Sequence, residues 1–263
     1  MNARQYRLAL NKALKALAPL IAMMRDQGVP VTEAQRWAMA EQMVGPIRES
    51  RGLAQQAALL YLASQGFPSV AAAPKYDVVA IVDMLQRVVG RAKTPEGKPV
   101  TSQNRRDQMV VEQVGKAVVR AAERHAQQPA RDLVQKVADD WPGVAWARVL
   151  TGPTSCYFCA MLASRGPVYN SEQSASKGRN RVEYRGGQRV DRYHDGCDCE
   201  VVLVQNYSTW EGRRAHKLLA QLWEDSTEGT SGRRSMNAFR QAYEKQSGTG
   251  KFRPDSFTAR AAA

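Results

Sequence analysis

Aromatic residues are scarce in this 263-residue chain, at 7% of positions against 43% for all apolar types together. A core built on sheets leans on large aromatic and branched side chains, whereas close-packed helices can be built on alanine. The deficit argues against a β-sandwich and predicts a helix-dominated fold. Long apolar runs are missing too. No stretch approaches the roughly 20 residues that cross a bilayer. Near the N-terminus the apolar residues are interrupted by Arg4, Arg7, Lys12 and Lys15, with neither the h-region nor the small-residue cleavage site of a signal peptide. The chain therefore reads as a soluble, membrane-free protein of a cytosol, where thiols stay reduced.

Catalytic signatures are absent as well. There is no H-E-x-x-H, no P-loop, no G-x-S-x-G and no G-x-G-x-x-G. A zinc deaminase needs H-x-E ahead of P-C-x-x-C, but His125 is followed by Ala126 and Gln127, and Pro153 does not adjoin Cys156. His125 and His216 fall in helical patterns and read as surface residues, not bases. The expectation is a protein without enzymatic activity.

Acidic residues are too few to balance the basic ones, and the formal net charge is +13. Self-repulsion of that size points to a partner or compartment rich in negative charge. The excess is shared by both halves of the chain. Basic clusters stand at Arg105-Arg106, 177–192, Arg213-Arg214 and Arg233-Arg234. None belongs to a recognisable base-reading module, so they fit sequence-independent attraction to phosphate.

What is present is mostly helical periodicity. Leu10, Leu14, Leu17, Ile21 and Met24 recur at steps of three and four on one stripe of a first helix, which Pro19 can kink. Thr32 with Gln35 three residues later reads as a capping box for a second helix, lined by Trp37, Met43, Val44 and Ile47. Pro46 is expected to bend or divide that helix before the Ala- and Leu-rich run at 53–63. A third helix is expected over 77–91, a loop over 93–99 and another helix over 102–125. Pro129 is expected to start a short helix that Trp141-Pro142-Gly143 closes. Then come short β-like runs at 145–150, 168–169, 181–184 and 200–204. Gly186-Gly187 reads as a hairpin turn between 182–184 and 189–190, forming a small antiparallel sheet. Helical patterns resume over 210–243, broken at 229–232, and from Ser247 the composition is that of a disordered tail.

All four cysteines fall between positions 156 and 199, in a pattern C-x-x-C, about 35 residues, then H-x-x-C-x-C. Such spacing lets two pairs of donors converge on one ion. Cys156, Cys159, His194, Cys197 and Cys199 are therefore five candidates for the four positions of a structural zinc site. The two x-x knuckles favour Cys156, Cys159, His194 and Cys197. Cys197 and Cys199 would share a face if that segment is extended, so an all-cysteine site competes nearly equally. Two disulfides or a redox C-x-x-C are weaker readings in a reducing compartment. A site with four protein ligands leaves no position open for catalytic water.

The stretch from Ala147 to Val204 resembles the phage Mu F-like (MuF-like) head morphogenesis domain of tailed bacteriophages. That domain carries C-x-x-C-x-x-L, G-x-V-Y and H-x-x-C-x-C in order. Here these stand as Cys156-Tyr157-Phe158-Cys159-Ala160-Met161-Leu162, Gly166-Pro167-Val168-Tyr169 and His194-Asp195-Gly196-Cys197-Asp198-Cys199. Asp195-Gly196 and Val204 depart from the usual pattern. The Ala-rich region ahead of this block looks like the versions in phages of actinobacteria.

The resemblance implies a structural minor capsid or head morphogenesis protein, located in the virion near the portal and acting in the host cytoplasm during procapsid assembly. Composition and periodicity along the chain predict an α+β, helix-dominated architecture: a helical region at 1–140, to which the resemblance gives a docking role, a zinc-stapled domain at 141–206, C-terminal helices at 207–246 and a disordered tail at 247–263. Implied partners are phage portal protein, scaffold or major capsid protein, with non-specific contact to packaged DNA. The competing readings are a capsid maturation protease or DNA-processing nuclease of the same pathway, and a free zinc-ribbon-like nucleic-acid binder.

Overall fold

The computed structural model of the protein describes residues 1–67, 76–151, 155–167, 193–197, 199–249 and 251–252. The strands expected at 168–169 and 181–184, the Gly186-Gly187 hairpin, the basic run at 177–192 and the end of the tail lie outside them. Among the described residues the fold is helix-dominated, with one small antiparallel sheet. It divides into two compact units: the first is built from residues 5–130 with 193–196 and Met1, the second from residues 2–4 and the remainder.

In the first unit the expected opening helix is three pieces. Helix α1 (Ala3–Ala13) runs into a 3-10 turn (Leu14–Leu17), and α2 (Pro19–Gln27) starts with proline at its first turn. Proline fits there because its missing N–H would be unpaired in any case. The apolar stripe still faces inward: Leu10, Leu17, Leu20 and Met24 are buried.

Helix α3 (Glu33–Ser64) opens with the capping box. The Gln35 N–H donates to Thr32 Oγ1 at 3.2 Å, and the Thr32 N–H donates to Gln35 Oε1 at 3.1 Å. Pro46 does not divide it, correcting the expectation; α3 runs 32 residues through that position. Its buried residues Met39, Met43, Ile47, Ala54 and Ala58 lie on an inward face that more than offsets one lost helical hydrogen bond. Tyr61 stacks on Tyr6 of α1 with ring centroids 4.6 Å apart. Asp77 caps α4 (Val78–Arg91) by accepting from the Val79 N–H.

Helix α5 (Gln108–Asp140) also corrects the expected division at Pro129, which lies inside it. Proline at 129 deprives the carbonyl of His125 of its helical donor, since that carbonyl would accept from residue 129. The guanidinium of Arg51 on α3 supplies the bond instead. A replacement donor keeps the helix whole.

The core of the second unit is the sheet. Strand β1 (Ala145–Leu150) pairs antiparallel with β2 (Cys199–Val204), in a register from Ala145 opposite Val204 to Leu150 opposite Cys199. Both strands are buried throughout. Alternation puts Ala145, Ala147, Val149, Val202 and Val204 on one face, packed with Trp210. Trp146, Arg148, Leu150, Cys199, Val201 and Leu203 take the other.

Between the strands lies α6 (Tyr157–Ala163), which the sequence reading did not anticipate. Helices α7 (Arg213–Thr227) and α8 (Arg233–Ser247) follow β2. Trp223 meets Phe239 at 5.2 Å, and Tyr243 donates to the Ser155 carbonyl at 2.9 Å. Phe252 packs on Tyr243 and is buried, so order extends past 247, where composition suggested a disordered tail.

Candidate metal centre

The first pair of thiols is set by a helix start. Cys156 is the extended N-cap of α6, and its Sγ accepts from the Cys159 N–H at 3.3 Å. A three-residue step then returns Cys159 to the same side of the turn. The second pair is set by a strand start. Cys199 is the first residue of β2 and Cys197 lies two residues earlier. Their Sγ atoms are 3.1 Å apart, and Cys159 Sγ lies 3.3 Å from Cys197 Sγ. The three Sγ atoms of Cys159, Cys197 and Cys199 all lie within 4.8 Å of one another, and Cys156 Sγ lies within the same distance of Cys159 Sγ.

These separations are too long for a disulfide, whose S–S bond is about 2.05 Å, and all four cysteines are free thiols. They match the size of a metal cage. Thiolates about 2.3 Å from one zinc at tetrahedral corners stand about 3.8 Å apart. Outward movement of a few tenths of an ångström would admit the ion. The donor set thus fits a borderline-soft divalent metal.

Neighbouring charge suits anionic sulfur. Arg148 Nη1 donates to Cys199 Sγ at 3.3 Å, and Arg131 Nη2 donates to the Cys199 carbonyl at 3.3 Å. Hydrogen bonds from the Cys159 and Cys197 thiols, with the nearby charges of Arg148 and Arg131, hold Cys199 well below the ordinary thiol range. Cys159 is pushed up, chiefly by its hydrogen bond with Cys156 and then by those with Cys197 and Cys199. A bound divalent cation would override this division, because a coordinating thiol loses its proton outright.

His194 lies on the 193–196 stretch, which folds with the first unit. Its Nδ1 is 3.1 Å from the Asp195 carbonyl. That contact makes Nδ1 the protonated nitrogen and leaves the lone pair on Nε2, the form a ligand histidine takes. Asp195 pairs with Arg124 Nε at 2.7 Å, and the Gly196 N–H donates to the Arg120 carbonyl at 3.4 Å.

The other histidines correct the surface reading. His125 sits against Tyr76, whose hydroxyl is 2.7 Å from Nδ1, while Arg124 Nη2 is 3.0 Å from Nε2. Burial, reinforced by Arg124, Arg87 and Arg51, lowers its pKa to about 3. His216 is half-buried beside Trp210, with its ring against Gly166. Neither joins the thiols.

Sequence reasoning missed Arg131 and Arg148. The only local signal was a charge at Arg148 inside the otherwise apolar run 145–150.

The class defined by these features is a helix-dominated protein whose Cys and His residues include groups able to hold a metal ion. Among the described residues no helix is long and apolar enough to cross a membrane. A family model described as VG15 protein matches residues 3–226, and the chain belongs to that family. It is 36% identical over 97 residues to the Gene 15 protein of Mycobacterium phage D29, covering 31% of this chain and 35% of that protein. It is 32% identical over 124 residues to the Gene 15 protein of Mycobacterium phage L5, covering 38% of this chain and 39% of that protein. The chain thus spans between a third and two fifths of the length of these relatives, and it is a phage protein of actinobacteriophage type. No solved structure matches it.

Proposed function

We propose that this protein is a structural minor capsid or head morphogenesis protein of a tailed phage, MuF-like in type. It acts near portal and DNA during procapsid assembly and carries a non-catalytic zinc site. The observation that carries the proposal is the thiol cluster at the neck of the chain excursion between β1 and β2. Cys159, Cys197 and Cys199 meet there, with Cys156 beside Cys159.

Four thiolates, or three with His194 as the alternative donor that its spacing suggests, would fill a tetrahedral zinc. The zinc would supply cross-linking rather than Lewis-acid chemistry. Phage family membership supports the setting, and the net charge of +13 suits a compartment filled with nucleic acid. The helical region would dock on portal, scaffold or shell protein.

The test is a map of assembled particles from a phage encoding this chain, with mass spectrometry and metal analysis of purified heads. Density near the portal and zinc in proportion to the protein are expected. The proposal fails if the protein is absent from both procapsids and heads. It also fails if the purified chain cleaves DNA or shell protein and one side-chain change abolishes that cleavage.

A further inference from the structure

Strand β1 reads Ala-Trp-Ala-Arg-Val-Leu and is buried on both faces, so every neighbour of Arg148 along it is a side chain suited to a dry core. Arg148 is only 4% exposed, and Arg131, on α5, only 2%. Arginine keeps its charge under all ordinary conditions, and a buried guanidinium is costly unless it meets negative charge in good geometry. Both side chains reach the thiol cluster. Arg148 Nη1 is 3.3 Å from Cys199 Sγ, with its guanidinium carbon 5.9 Å from the centre of the Trp146 ring. Arg131 Nη2 is 3.4 Å from the Cys197 carbonyl and 3.3 Å from that of Cys199.

We infer that Arg131 and Arg148 are positioning residues of the metal centre: Arg148 as a hydrogen-bonded counter-charge on a ligating sulfur, Arg131 as the clamp that holds the carbonyls of Cys197 and Cys199. This rests on the reading that the thiols hold a metal. Divalent zinc with four thiolates carries two net negative charges, and with three thiolates and an imidazole it carries one. Either form is an anion in a dry site and gains from cations fixed beside it. Arg131 acts at a different point, because bonding the carbonyls of two ligating residues holds both side chains in the direction the ion needs. Neither arginine touches the metal.

The experiment uses the full chain, stripped of metal under reducing conditions and titrated with Co²⁺, then with Zn²⁺ against a chromophoric chelator. Arg148→Met and Arg131→Met are expected to lose about ten- to a hundredfold in metal affinity, the usual effect of removing a partner of a ligand. Arg148→Met should also shift the sulfur-to-cobalt charge-transfer band, because the hydrogen bond withdraws density from that sulfur. Arg148→Lys and Arg131→Lys keep a buried cation and so keep the fold. Arg148→Lys should restore most of the affinity by retaining charge and one donor, whereas Arg131→Lys, unable to span two carbonyls, should not. Wild-type affinity and spectrum in the methionine variants overturn the inference. If those variants do not fold, wild-type affinity in Arg131→Lys overturns it. A folded wild-type chain that takes up neither metal overturns the metal reading itself, and this inference with it.

Discussion

The His125 carbonyl accepts a hydrogen bond from Arg51 Nη1 at 2.5 Å, the bond that Pro129 cannot donate. Arg51 also lies over the Tyr76 ring, 4.2 Å from its centre. Arg51→Met should cost about 1–3 kcal/mol, because it leaves a part-buried carbonyl without its donor. Pro129→Ala restores the helical N–H at that position. In that background the same Arg51→Met change should cost about 1 kcal/mol less, as a double-mutant cycle of chemical denaturation would reveal. Equal costs in both backgrounds would show that Arg51 does not replace the missing bond.

Protonation of His125 should destabilise the first unit. Arg124 can only donate, so Nε2 of His125 is an acceptor and the ring is held neutral. Burial, aided by Arg124, Arg87 and Arg51, brings the folded pKa down to about 3 from the ordinary histidine value of 6.5. The unfolded state therefore binds the proton first, and stability present above pH 6.5 is lost as pH falls toward the folded value. Denaturant unfolding at pH 7.5 and pH 5 should differ by about 2 kcal/mol from this group alone. His125→Gln should flatten that slope whatever it does to absolute stability. An unchanged slope would sink the argument.

Removal of metal should act through the second unit. With zinc at a thousandfold excess over its dissociation constant, linkage gives about 4 kcal/mol of stabilisation. A chelator should lower the thermal midpoint of the wild type and leave Cys159→Ser and Cys197→Ser unmoved. Comparing zinc content in Cys156→Ser and His194→Ala identifies the fourth donor, since only loss of a true ligand should abolish stoichiometric binding.

Glycines divide by backbone angle and space. Gly45 and Gly52 lie inside α3, with nothing within 4 Å of where a Cβ would stand. Gly45→Ala and Gly52→Ala should each stabilise by about 0.5–1 kcal/mol. Gly28 ends α2 with φ +77°, and an added Cβ would stand 2.8 Å from the Arg105 carbonyl oxygen. Gly28→Ala should destabilise by about 1–3 kcal/mol. Thermal melts of the three variants provide the check.

Local chemistry was legible in the sequence. The Thr32–Gln35 box, the closing Trp141-Pro142-Gly143 and the β-like runs at 145–150 and 200–204 depend on neighbours in the chain. Proline at 46 and 129 misled because its cost is local and its compensation is not: Arg51 lies 74 residues from His125. The same limit hid the state of His125, which depends on Tyr76 from another element. The cysteines were conspicuous through their grouping. Arg131 and Arg148 were not, because an arginine's sequence neighbours do not reveal that its charge is buried against sulfur.

Strand pairing between Leu150 and Cys199 closes one neck around the excursion at 151–198, and the sulfur cluster closes a second just inside it. The chain before residue 151 and the chain after residue 198 are thus held together by six paired residues and the thiols, with the Tyr243 bond to the Ser155 carbonyl beside them. A protein cut between these two stretches should therefore migrate as one species on a native gel. A metal held there would add a clasp, beside the strand pairing, between two parts of the chain that lie far apart in sequence.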